Sequence, residues 1–189
     1  MKLVGLLVFA MSMQAETWTY WAQPCTPAAA QESACAPGDP ELAGWALDAW
    51  AAQSSGRLQF KPAASAATAR LLVEWVSGSR SLYGETREAR IDGRPVAVVS
   101  VLPPAATPQD PLLREAIVYL TCLHESGHAL GLPHTARFSD IMYSFQFGGD
   151  IREYFARYRR LLQSRADIRS HSGISAQDRA ALLERYSRP

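Results

Sequence analysis

The period of apolar positions changes several times along the chain, and the changes divide it into elements. Residues 17–22 (Thr-Trp-Thr-Tyr-Trp-Ala) alternate and are aromatic, the pattern of a strand with one buried face. From Asp39 the spacing lengthens: Leu42, Trp45, Ala46, Ala49 and Trp50 recur at helical intervals up to Gln53, and Ser54-Ser55-Gly56 supplies a stop. The two tryptophans read as core. Four strand-like runs follow, at 57–61, 69–76, 82–89 and 95–102. The run from 69 is nearly all apolar and belongs in the middle of a sheet, whereas 82–89 carries Glu85, Arg87 and Glu88 and reads as an edge. Ile91-Asp92-Gly93-Arg94 joins the last two runs as a hairpin. Asp110 and Pro111 suit the N-cap and first position of a helix reaching residue 130, and Leu112, Leu113, Ala116, Ile117 and Leu120 give it a stripe to seat on the sheet.

The C-terminal third is helical in pattern. In 150–170, Ile151, Tyr154, Phe155, Tyr158, Leu161 and Leu162 form an apolar stripe, and six arginines stand against three acids. This basic amphipathic segment reads as a packed helix with a solvated basic face, docking on an anionic surface being the alternative. Ser175, with Asp178 three residues on, caps a last helix to about residue 186. His171, between these helices, reads as exposed.

At 189 residues with formal net charge +1 the chain suits a single domain, and its charge balance gives no reason to expect nucleic acid as a partner. Residues 1–15 (Lys2, then an apolar run from Leu3 to Met13, then Gln14-Ala15) have the form of a secretory signal and are too short to span a bilayer, leaving 16–189 as the domain. Cleavage after Ser12 is a rival to cleavage after Ala15. Export to a secreted, extracellular or periplasmic location suits the cysteines. Cys25 and Cys35 bracket a Pro- and Ala-rich loop without periodicity and are expected to form a local disulfide. Cys122 points about 200° away from His124 around the helix and reads as a buried free thiol.

The sharpest signal is His124-Glu125-Ser126-Gly127-His128-Ala129-Leu130-Gly131-Leu132-Pro133-His134. On one helix His124 and His128 lie a turn apart on the same face, so two imidazoles converge. Gly131 can adopt the left-handed conformation that ends a helix and Pro133 prevents its resumption, which lets His134 return from the far side as a third metal ligand. Three neutral imidazoles around Zn²⁺ leave an open position, the arrangement of a catalytic site. Glu125 sits about 100° round the helix from His124, flanking the metal where a general base belongs.

These residues resemble the long zinc signature of the metzincin metallopeptidases. Ser139-Asp140-Ile141-Met142-Tyr143 resembles their Met-turn, and Thr135, after the third His, resembles the matrixins within that clan. The resemblance implies a secreted, monomeric zinc endopeptidase of α/β (α+β) class: a twisted mixed five-stranded sheet with an antiparallel edge strand, an active-site helix, and a small helical C-terminal subdomain below a cleft. It further implies Glu125 as catalytic base, His124, His128 and His134 as zinc ligands, Met142 supporting the site from below, and a peptide substrate paired along the edge strand. Residues 143–147 lack the Pro that matrixins carry after the Met, which leaves the shape of the specificity pocket open. Matrixin propeptides place an inhibitory cysteine on the zinc. The surroundings of Cys25 lack that family's Arg, Gly and Asp, and the segment before the first strand is too short for a propeptide. The rival reading is an exported zinc-containing protein that binds peptide without cleaving it.

Overall fold

The computed structural model describes residues 15–78, 83–105 and 108–187, so most of the expected signal segment and Leu82 lie outside the described residues. The strand-like runs form β1 (Glu16–Ala22), β2 (Leu58–Pro62), β3 (Leu71–Trp75), β4 (Gly84–Ile91) and β5 (Arg94–Val101), joined in one sheet in the order β2-β1-β3-β5-β4. β1 pairs in parallel with β2 and β3, and β3 with β5, while β4 runs antiparallel to β5. The apolar run around residue 72 is therefore central and the charged run is the edge, as their compositions require. Asp92 and Gly93 both take positive φ, 51° and 77°, the backbone of a two-residue turn whose twist matches its flanking strands.

The connection from β1 to β2 contains α1 (Pro27–Ser33) and α2 (Asp39–Gln53), because parallel neighbours need a crossover. α1 corrects the expectation of an irregular loop between the cysteines. Thr26 caps it by accepting from the Ala29 N–H, and Pro27 occupies a first-turn position where no N–H is missed. The disulfide itself is present: Cys25 and Cys35 are bonded with their Cα atoms 5.9 Å apart, and Cys122 is free and buried.

α2 packs beside α3 (Pro111–Ala129), and α3 also contacts β4 and β5. Asp110 caps α3 by accepting from the Leu113 N–H. Between the helices lies the main core, including Leu42, Ala46, Trp50, Val99, Leu123 and Met142. Trp50 Nε1 donates to the Leu123 carbonyl at 2.9 Å, so this fully buried indole has its polar atom satisfied. Trp45 is only half-buried, with the Arg165 guanidinium over its ring. Near the start of α3, buried Arg114 forms a two-pronged ion pair with buried Asp39 (2.8 Å at each oxygen) and donates to the carbonyls of Ala34 and Pro104. The Asp39 carboxylate also accepts from the Ala36 N–H, so this charge pair is fully enclosed in hydrogen bonds.

The segment 150–170 is not one helix. α4 (Ile151–Arg159) ends at Arg160, and a 3-10 turn at Arg165–Arg169 begins afresh under a Ser164–Asp167 capping box. The apolar stripe fails at this break: Leu162 is buried while Leu161 is 54% exposed. Nor is the basic face simply solvated. Arg159 pairs with Asp110, Arg160 with Glu153, and Arg165 with both Glu41 and Glu115, while Arg157 reaches the Phe138 carbonyl. Most of these arginines tie the segment to the rest of the chain. α5 (Ala176–Arg185) closes the domain, with Ser175 and Asp178 forming the anticipated capping box. His171 is exposed. Among the described residues no helix is long and apolar enough to cross a membrane.

Candidate metal centre

The last turns of α3 carry His124, Glu125 and His128, and the chain then reverses. Gly131 has φ 84°, a left-handed conformation that costs a β-carbon-bearing residue strain, and its N–H bonds back to the His128 carbonyl. The reversal brings His134 Nε2 to 3.3 Å from His124 Nε2 and 3.0 Å from His128 Nε2. The three imidazoles are the only group of metal-ligating side chains gathered in this way among the described residues.

Their other ring nitrogens settle what the cluster can hold. His124 Nδ1 lies 2.6 Å from the Ile141 carbonyl and His128 Nδ1 lies 2.9 Å from the Leu132 carbonyl. A carbonyl only accepts, so each Nδ1 carries the proton and each neutral ring turns a lone pair toward the cluster. A proton on His134 Nε2 could serve one neighbour and would leave the other lone pair unmatched. A cation among the three rings satisfies all of them, and two nitrogens each about 2.0–2.1 Å from a tetrahedral ion lie ~3.3 Å apart. The residues therefore fit a divalent metal. Burial adds to this, lowering the pKa of His124 to about 4 and holding those of His128 and His134 below the ordinary imidazole value. Neutral imidazoles are the ligating form.

The helix that carries His124 and His128 is held from behind. Met142 is buried beneath the helix, and a Cβ at Gly127 would run into its sulfur and lie 3.1 Å from the Trp50 ring, so only glycine fits between them. The Asp178 carboxylate, 1% exposed, accepts from the N–H groups of Ile141 and Met142 at 2.8 and 3.3 Å. The Ile141 carbonyl in turn accepts from His124. A capping residue of α5 thus fixes the turn that fixes the first imidazole, a pattern known from metal sites generally. The capping spacing identified Asp178 in the sequence, but nothing in it pointed to this second role.

Glu125 is 6% exposed and has one carboxylate oxygen 2.8 Å from the Thr86 hydroxyl. Burial raises its pKa to about 7, although the Thr86 hydrogen bond acts in the opposite sense. The three histidines and Glu125 open on a cleft of about 1530 Å³. β4 lines it with Gly84, Glu85, Thr86, Arg87 and Glu88, so the charged edge strand lies beside the imidazoles. The stretch after His134 lines it with Tyr143 and Phe145, and α4 with Ile151, Tyr154 and Phe155. Tyr83 meets Phe155 edge-to-face at 4.8 Å, and Phe145 meets Tyr154 at 5.3 Å. Residues 145–147, which contain no Pro, form a 3-10 turn, and an aromatic recess stands beside the three imidazoles. The segment 150–170, read from sequence as a packed helix, thus supplies part of the wall of this recess. Its visible stripe marked a buried face but could not say that part of that face borders a cleft.

No protein-family model matches the chain and no curated protein matches it.

Proposed function

We propose that this chain is an exported zinc-dependent endopeptidase of metzincin type, closest in its motif to the matrixins. One observation carries the reading: three imidazoles with converging Nε2 atoms stand on the same cleft as a buried carboxylate, next to an edge strand. An extended peptide can pair with the free edge of β4 through main-chain hydrogen bonds, a mode that grips many sequences. A Zn²⁺ held by His124, His128 and His134 would supply a Lewis acid for the scissile carbonyl and would acidify water at its open position. Glu125 takes a proton from the attacking water and returns it to the leaving amine. Its carboxylate lines the same cleft as the three imidazoles, where a base for that water belongs. Met142 takes the place of the Met-turn methionine. The signal-like residues 1–15 and the Cys25–Cys35 disulfide support export.

The test is hydrolysis of a mixed peptide library by purified protein, with and without chelator, alongside Glu125→Gln. Wild type should cleave only with metal, and the variant should retain zinc while its rate falls by about 10² to 10⁴-fold. A Glu125 variant that cleaves at the wild-type rate would show the base to be misassigned. Zinc-loaded wild type that binds peptides and cleaves none would make this a binding protein.

A further inference from the structure

The edge strand touches Glu125 at two positions on the same face, Gly84 and Thr86, and the two contacts are of different kinds. A Cβ at Gly84 would stand 2.8 Å from Glu125 Cγ, 2.8 Å from Thr121 Cγ2 and 3.0 Å from the Ser100 carbonyl oxygen. The glycine is there for close approach, and it brings β4 down onto the glutamate's aliphatic stem. Two residues on, the Thr86 hydroxyl lies 2.8 Å from Glu125 Oε2 and 2.7 Å from the Glu125 main-chain oxygen. A hydroxyl has a single proton to donate, and an ionised carboxylate is the stronger acceptor. The side chain of Glu125 has three rotatable bonds; the stem contact and the hydrogen bond at its far end restrain them together.

We propose that Thr86 is a positioning residue for Glu125: its hydroxyl holds one carboxylate oxygen against the edge strand and leaves the other for the attacking water. The proposal rests on the endopeptidase reading, and it ties the base to the strand on which a peptide would lie. Any movement of β4 on pairing with substrate is then felt at the carboxylate, which no residue on α3 alone would transmit. The Thr86 hydroxyl bonds to Glu125 and to none of the imidazoles, so its loss should leave metal binding intact.

The experiment compares Thr86→Val, which keeps the shape and loses the hydroxyl, with Thr86→Ser, which keeps the hydroxyl. Each is read two ways: kcat and KM for peptide cleavage by the zinc-loaded protein, and the Glu125 δ-carbon resonance in ¹³C NMR of the same protein at fixed pH. The valine variant should lose about 10- to 100-fold in kcat, the worth of a hydrogen bond to a charged group, with KM unchanged within about twofold. Its Glu125 resonance should move. The serine variant should recover most of the rate and the wild-type resonance. Wild-type kcat in the valine variant, serine as impaired as valine, or an unmoved resonance would each overturn the proposal. A wild type that cleaves nothing, with a Glu125 resonance that moves in valine and returns in serine, would end the endopeptidase reading and leave the positioning contact standing.

Discussion

The two halves of α3 belong to one helix and treat their polar groups in opposite ways. In the N-terminal half every charge has an opposite partner: Asp110 with Arg159, Arg114 with Asp39, Glu115 with Arg165. In the C-terminal half the polar side chains are gathered with their own kind. His124 and His128 meet His134, from the chain beyond the helix, through their Nε2 atoms, and a carboxylate is buried with a hydroxyl for company and no cation among its hydrogen-bond partners. The first half spends its polar groups on holding the helix in place. The second half is held by Trp50, Met142 and Asp178 from outside, and no ion pair engages its imidazoles or its carboxylate. On the proposed function, stability and chemistry are separated along one element, and substitutions at the two ends should have different signatures.

The largest effect should come at the C-terminal end. His128→Ala should abolish both metal binding, read by isothermal titration with zinc, and peptide cleavage. The metal-free variant should unfold within about 1 kcal/mol of metal-free wild type, because a converging lone pair is removed and no paired charge is orphaned. At the other end the pattern reverses. Asp39→Asn leaves Arg114 buried without its counter-charge and should cost about 3–5 kcal/mol in denaturant unfolding, while the activity of each folded molecule is unchanged. A loss of activity per folded molecule in that variant would break the separation of the two halves.

Next in size is the disulfide, which flanks the same N-terminal anchor: Ala34, beside Cys35, offers its carbonyl to Arg114. Cys25→Ser with Cys35→Ser should cost up to about 3 kcal/mol, as expected for a short closed loop, with activity per folded molecule unchanged or lower. A marked gain in activity would make this loop inhibitory. The smallest effect is a pH dependence. Glu125 has a folded pKa raised to about 7, so its proton stabilises the fold below its unfolded value and that contribution is lost as pH rises through about 7. Metal-free Glu125→Gln should therefore gain on metal-free wild type between about pH 4.5 and 7, at a slope on the order of 1 kcal/mol per pH unit or less. Parallel stability curves for the two proteins would show that burial does not hold that proton.

The strands, the hairpin and α2 were legible because each repeats a period over its length or carries turn chemistry of its own, as at Asp92-Gly93. The imidazole cluster was legible for a related reason: two ligands share a helix face and the third follows a glycine. α1 was not, because seven residues with only Ala29 and Ser33 buried have no stripe to read. The break after α4 was hidden because Leu161 and Leu162 continue an apolar pattern of which the fold buries Leu162 and leaves Leu161 exposed. Thr86 and Asp178 were invisible as partners of the site, since their contacts to Glu125, Ile141 and Met142 are made across the tertiary structure.

The hydrogen bonds from Ile141 and Met142 to Asp178 also bear on the order of events during synthesis. All three imidazoles leave the ribosome well before the carboxylate that fixes the turn behind the first of them. A nascent chain therefore carries His124 without the restraint behind it until α5 has emerged and docked. Assembly of the site is coupled to synthesis and docking of α5, and a chain stalled or clipped before residue 178 would lack the restraint that aims His124.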